Sequence, residues 1–321
     1  MNKFKKIGLS ALAGSLVAFS AQAAEVSLSG GASVAVTSSD DKGATTYYQD
    51  DSIEISVSGE TDAGLIITTE LELDGGANSG SSFDNRSVSI GHDTLGTVTF
   101  SGHGGDSVLS GWDHKVPSAY EEVWDLTKNA DKDIIDGVAG DNLWRYDSPD
   151  LIPGLTVHAA YQAKEQSGST SAYTDIGVQY SPEMIEGLTI AYAAGEKDES
   201  TSETSADVTG IDQSTMWFTY ATGPSTIGYQ MAEADGSTST QDDDSTAFGI
   251  SYAITDDFSV SYGEHELDLG SSTSDQESEG VSASYTMGGT TIKASFNETN
   301  NVRGSAGTDT DAYEVALVFA F

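Results

Sequence analysis

The sequence contains no cysteine, which excludes a disulfide framework and any thiolate metal centre. Positive charge is nearly as scarce: 13 Lys and Arg stand against 51 Asp and Glu, for a formal net charge of −38. A surface this acidic repels nucleic acid, so no nucleic-acid partner is expected. Beyond the N-terminal segment no run approaches the ~18 apolar residues of a membrane helix, so any membrane role falls to strands. Only 5 prolines accompany 35 glycines and many Ser and Thr, a balance that suits an all-β chain.

The first residues do carry positive charge. Lys3, Lys5 and Lys6 precede a short apolar run from Ile7 to Phe19, and Ala21-Gln22-Ala23 supplies a small-x-small cleavage pattern. The run is too short and too Gly-rich for a comfortable bilayer span. We expect a cleaved secretory signal over 1–23 and a mature chain over 24–321.

In the mature chain, apolar residues recur at every second position. Ile53, Ile55 and Val57 alternate with Glu54, Ser56 and Ser58, and Leu71 and Leu73 alternate with Glu70 and Glu72. The same pattern returns at Ile176/Val178/Tyr180, Met216/Phe218/Tyr220, Phe258/Val260/Tyr262 and Ile292/Ala294/Phe296. The last ten residues keep it to the end, with Tyr313, Val315, Leu317, Phe319 and Phe321 on one parity. Disorder is the competing reading of so acidic a chain, and the recurring aromatic strands oppose it.

About sixteen strands are expected. Tight turns at 60–64, 92–96, 221–224, 254–257 and 287–289 join one end, and polar loops at 37–51, 74–84, 196–210, 232–245, 268–278 and 298–309 join the other. An even strand count with this asymmetry is the plan of a transmembrane antiparallel β-barrel. A soluble sandwich would also alternate, but Glu70 and Glu72 would then enter its core at high cost. In a wet lumen they cost little, and closure removes the edge that the greasy last strand would otherwise expose.

With these features in hand, the chain resembles the general porins of Gram-negative bacteria over essentially its whole mature length. The segment "NRSVSIGHDTLGTVTFSGHGGD" (85–106) is similar to the family's Arg-x-x-x-x-x-Gly, hairpin, Gly-Arg stretch. "DNLWRYDSP" (141–149), followed by Gly154-Leu155, is similar to the strand after the constriction loop. The resemblance implies a homotrimeric sixteen-stranded barrel in the outer membrane, among outer-membrane lipid and lipopolysaccharide. It also implies that the strand ending in Phe321 is read by the barrel-insertion machinery. The implied function is passive diffusion of small hydrophilic solutes and ions. The alternatives are a solute-selective channel or, less favoured, a barrel enzyme or adhesin.

The longest interval without clean alternation, Gly104 to Gly140, lies between those two motifs. A loop of that length in a compact domain is usually functional, and in the family it folds inward as the third loop and narrows the pore. Its candidate constriction acids are Asp106, Asp113, Glu121, Glu122 and Asp125, followed by Asp131, Asp133 and Asp136. They stand against Lys115, Lys128 and Lys132. The plain alternative is a solvated loop surface.

The resemblance implies arginines on the wall that faces these loop acids. Arg145 alternates with Trp144 and Tyr146 and should face the lumen, as should His103, which stands where the family's Gly-Arg has arginine. Arg86 shares parity with Val88 and Ile90, which argues against a lumenal position unless a bulge intervenes. His158, Lys164 and Lys293 also have lumenal parity. This excess of loop acid over wall base predicts a preference for cations.

Other motifs are weaker. Gly105-Asp106-Ser107 is reminiscent of a class of serine esterases but needs an oriented histidine and acid, and no catalytic residue is expected. No cofactor is expected either, although the acidic runs Asp40-Asp41, Asp50-Asp51 and Asp242-Asp243-Asp244 have the oxygen ligands that suit Ca²⁺ or Mg²⁺. Tyr47, Tyr48, Trp112, Trp124, Trp144 and Trp217 include candidates for interfacial girdles. Trp112 and Trp124 are expected instead to pack the inward loop on the wall.

Overall fold

The computed structural model describes residues 24–39, 45–74, 83–127, 135, 137–163, 172–198, 210–236 and 238–321. The expected signal segment, Asp40-Asp41, Lys128, Asp131, Lys132, Asp133, Asp136 and Lys164 lie outside these residues.

Among these described residues eighteen strands follow in order: β1 (Glu25–Ser39), β2 (Thr46–Glu60), β3 (Ile66–Asp74), β4 (Arg86–His92), β5 (Gly96–His103), β6 (Gly105–Asp106), β7 (Ala139–Gly140), β8 (Leu143–Asp147) and β9 (Leu155–Gln162). The second half comprises β10 (Tyr173–Tyr180), β11 (Leu188–Lys197), β12 (Ile211–Thr222), β13 (Ser225–Asp235), β14 (Asp243–Thr255), β15 (Phe258–Leu269), β16 (Gln276–Met287), β17 (Thr290–Asn300) and β18 (Thr310–Ala320). All except β6 and β7 form one closed antiparallel barrel of sixteen strands. Closure joins β1 to β18, from Gly31 opposite Ala320 to Ser39 opposite Ala312. Beyond it the Phe321 amide donates to the Gly30 carbonyl, and the Gly30 amide returns the bond to the Phe321 carbonyl. The two ends of the barrel are therefore adjacent, and the terminal aromatic strand is paired on both sides.

Period-2 patterning decides which face is which. Val281, Leu317, Phe319 and Phe321 stay about half exposed on the outer face, the face that a transmembrane barrel turns to lipid. Their neighbours Ser282, Ala316 and Glu314 are buried on the inner face. The buried apolar residues of this barrel lie inside it, where Val108, Leu109 and Trp112 pack against Leu143, Tyr173 and Trp217.

Two expectations change here. The strands run further than the apolar alternation, so the outer loops are shorter than expected. Residues 37–39 and 46–51, read as loop, extend β1 and β2. Asp50-Asp51 thus sits in β2, and Asp243 and Asp244 open β14. Backbone pairing with a neighbouring strand holds these polar segments extended without an apolar side.

That extension sets like charges opposite one another on the outer rim: Glu264 faces Glu279, Glu266 faces Glu277, Glu279 faces Glu298 and Asp244 faces Asp268. Directly opposed like charges destabilise a sheet. Salt should therefore stabilise this barrel. Raising ionic strength from ~0.01 to ~0.15 M shortens screening from roughly 30 to 8 Å. The thermal midpoint in detergent, followed by circular dichroism, should rise with it; a midpoint that falls would mean the rim repulsion is offset elsewhere.

Candidate functional site: the loop-narrowed lumen

The long third loop enters the barrel. Its two ends are fastened to each other by the short β6–β7 ribbon, with Gly105 opposite Gly140 and Asp106 opposite Ala139. Ser107 is fully buried, and its Oγ accepts the Ser110 and Val138 amides. The Gly-Asp-Ser string thus shapes the base of the loop. From there the chain crosses the inner wall strand by strand. The Leu109 amide donates to Asp175 on β10, the Lys115 amide to Gln230 on β13, and the Ala119 amide to Ser261 on β15. The Tyr120 amide reaches Ser282 on β16, and Asn297 on β17 donates to the Glu122 carbonyl. The Tyr120 hydroxyl donates to Glu314 on β18, which also accepts the Tyr48 hydroxyl of β2 at 2.7 Å.

Aromatic rings fix the loop at two points. Trp112 meets Trp217 edge to face at a centroid distance of 5.6 Å, and Trp124 lies 4.2 Å from the His265 ring. Trp217 is therefore an inward seat for the loop, and Tyr48 faces the lumen. Neither is an interfacial girdle residue: the outward parity of β12 belongs to Met216, Phe218 and Tyr220, and the Tyr48 hydroxyl bonds Glu314 inside the barrel. Trp144 does point outward, its ring tilted against Phe100 at a centroid distance of 4.8 Å.

The expected loop acids fall into two groups. Asp106 lines a lumenal cavity of about 400 Å³ at the loop's base, and together with Asp113 it acts on Lys115. Burial lowers the Lys115 pKa, while those acids work against the shift. At the far end, Glu121, Glu122 and Asp125 bring carboxylate oxygens within 4.8 Å of one another. This loop trio, not the outer acidic runs, is the three-carboxylate group found among the described residues.

The trio is loop, outside the membrane-spanning strands. Burial raises the Asp125 pKa, and its hydrogen bond and repulsion with Glu122 raise it further. Glu121 is raised by burial and by the charge on Glu314. A carboxyl whose pKa is raised by docking stabilises the docked state fully below its ordinary pKa of about 3.9 and loses that contribution as pH rises toward the raised value. The docked loop should therefore be firmest in acid and loosen progressively through neutral to alkaline pH. Brief closures in single-channel records should become more frequent from pH 5 to pH 9, and Asp125→Asn should flatten the dependence.

The wall made by β2 to β5 and β8 meets the base of the loop at β8. Arg145 faces inward as expected, but it is already paired. Its guanidinium donates to both oxygens of Asp147 at 3.1 and 3.2 Å and to the carbonyls of Asp106 and Ser107. His158 shares the same carboxylate at 2.6 Å. His103 pairs with Asp141. Arg86 lines the same cavity, and the required irregularity is present: the β4–β5 register slips so that Arg86 opposes His103 while Ser87 opposes Ser101. Lys293 faces inward too, its ammonium 5.1 Å from the Tyr120 ring centre.

Glu70 and Glu72 line this cavity, in the lumen where the alternation put them, and Glu54 lies directly opposite Glu72. Other residues of this wall were not singled out in the sequence. Asp147 and Asp141 neutralise the basic groups, and Glu314 anchors the loop tip. Glu54, Asp147 and Glu314 have inward parity on their strands, so the alternation that placed Arg145 could have found them; Asp141 lies in the bend before β8, where parity does not apply.

An even-stranded antiparallel barrel, apolar outside and with polar, charged groups lining its lumen, with a loop across that lumen, has the build of an outer-membrane pore. The chain belongs to the Gram-negative porin family, whose pattern it matches over residues 8–304. No curated protein is similar to it in sequence. Among solved structures it is similar to an anion-selective porin from Comamonas acidovorans, at 16% identity, 93% coverage of this chain and 100% of that one, and a TM-score of 0.71. It is likewise similar to OmpT in its trimer form, an outer membrane protein of Vibrio cholerae (12% identity, 93% and 99% coverage, TM-score 0.69). A mutant of Rh. blastica porin aligns at 15% identity, 92% and 100% coverage and a TM-score of 0.63. At these identities the likeness is one of fold.

Proposed function

We propose that this porin is a passive diffusion channel for small hydrophilic solutes and ions that prefers cations, and that it is not an enzyme. One observation carries the preference. The cavity between loop and wall presents Glu54, Glu70, Glu72, Asp106 and Asp147 against Arg86, Arg145 and His103, and Arg145 and His103 are each spent on a carboxylate. Acidic linings concentrate cations and repel anions. The anion selectivity of the Comamonas protein belongs to that protein's own residues, because 16% identity carries the fold and not the lining charges. Charged, hydroxyl and amide groups line the cavity, which favours general diffusion over a ladder for one solute.

The remaining parts of the proposal are supported by the N-terminal sequence pattern and by the likeness to the porin family. Export uses the cleaved segment 1–23, insertion is directed by the strand ending in Phe321, and three copies assemble among outer-membrane lipid and lipopolysaccharide. Residues 104–140 form the constriction. Reconstitution in a planar bilayer under a KCl gradient tests the function: the reversal potential should have the cation-selective sign and weaken as salt rises. An anion-selective or solute-gated response would overturn the proposal, as would crosslinking that yields only monomers for the assembly.

A further inference from the structure

Glycine weakens a strand interior, and a glycine there often marks a close backbone approach. The inner face of this barrel has four glycines in one cross-strand row: Gly228 opposes Gly249, Gly249 opposes Gly263, and Gly263 opposes Gly280. The third loop lies along the first three. A Cβ on Gly228 would meet Pro117 Cδ at 2.5 Å. On Gly249 it would meet the Pro117 carbonyl oxygen at 2.7 Å, and on Gly263 it would meet Val123 at 3.0 Å. The row ends at Asn297, opposite Gly280, where the side-chain amide holds the Glu122 carbonyl. On either side of the row the loop is fastened by donors to Gln230 and Ser261.

Resting on the diffusion-channel reading, we propose that Gly228, Gly249 and Gly263 are positioning residues that set the aperture. They form a trough one side chain deep in which residues 116–123 lie. Without it the loop would stand further from β13–β15, toward the wall of Glu54, Glu70 and Arg86. Aperture in this protein is then fixed by residues that never touch the permeating solute. Pro117 is the loop's matching element, since its ring and carbonyl fill the space at two successive glycines.

The test is single-channel conductance and solute-size cut-off of Gly228→Ala and Gly249→Val in the full-length protein. Each should lower conductance, by roughly a third or more for the larger side chain, and lower the size cut-off. Gly228→Ala combined with Pro117→Ala removes the clashing Cδ and should recover conductance. Gly59→Ala on β2, where a Cβ meets nothing within 4 Å, is the control and should match wild type. Gly263→Ala, whose Cβ has its nearest loop contact with a movable valine side chain at 3.0 Å besides the Phe248 carbonyl oxygen of its own sheet at 3.3 Å, should shift conductance the same way and less. Unchanged or increased conductance in inserted Gly228 and Gly249 variants would overturn the proposal. So would a Gly228→Ala barrel that fails to insert and is not recovered by Pro117→Ala, because the glycines would then serve strand pairing alone. A wild-type protein that does not conduct would defeat the channel reading itself, whereas a conducting wild type with insensitive glycines defeats only this inference.

Discussion

Replacing residues 109–126 with a short Gly-Ser linker should raise single-channel conductance by roughly two- to threefold while leaving the barrel closed. The loop occupies the side of the lumen lined by β10 to β18, and every anchor it makes there is a contact between loop and wall. None of them is a rung of the sheet. The ladder hydrogen bonds that close the barrel, including the β1–β18 pairing, do not involve the loop. Stability should nonetheless fall. Excision exposes Trp217, buried to 6% by Trp112 and its neighbours, and removes the Tyr120 hydroxyl from Glu314. Losing a buried aromatic contact typically costs about 3–5 kcal/mol. A lower thermal midpoint with a retained β spectrum and a larger channel is the expected combination. An unchanged conductance would mean that ions pass where the loop does not bound them.

The same division explains what the sequence made legible. Strand parity follows from a two-residue period that any residue reports for itself, so Phe319, Arg145 and Lys293 could each be assigned a face from their immediate neighbours. Strand length was less legible. The outer ends of β1 and β2 carry Thr, Ser, Asp and Gln, which look like loop because no lipid touches them, and only the partner strand holds them extended. Arg86 required a register slip that depends on how β4 meets β5, and parity alone could state only the condition. The trough for the loop was hardest to see. Gly228, Gly249 and Gly263 lie on three different strands, and their alignment emerges only from the register between them. Glu54 opposite Glu72 is the same kind of fact: each acid alone reads as a polar lumen position, and their meeting is a property of the β2–β3 pairing.

That wall also yields the sharpest expectation about selectivity. Exchanging Glu54, Glu70 and Glu72 together for glutamine should lower the cation-to-anion permeability ratio by roughly tenfold, a shift of ~1.4 kcal/mol. The three carboxylates and Arg86 line one cavity. Glu72 is held by the Asn85 amide at 2.7 Å, and Glu70 faces Ser87; these neutral partners leave the acidic charge in place. Arg145 contributes little to the opposite sign, because Asp147 accepts its guanidinium from two nitrogens and His158 leans on the same carboxylate. Once the glutamates are neutral, Arg86 becomes the dominant mobile-facing charge on that wall. Its own replacement, Arg86→Gln in the otherwise native chain, should move the ratio the other way. Both shifts should shrink as salt shortens the screening length to about 3 Å near 1 M. Opposite movements measured as reversal potentials in a KCl gradient would place the selectivity at the wall. If the glutamine triple left the ratio untouched while Glu121→Gln with Glu122→Gln lowered it, the discriminating charges would lie at the loop tip, and the wall would be a bystander.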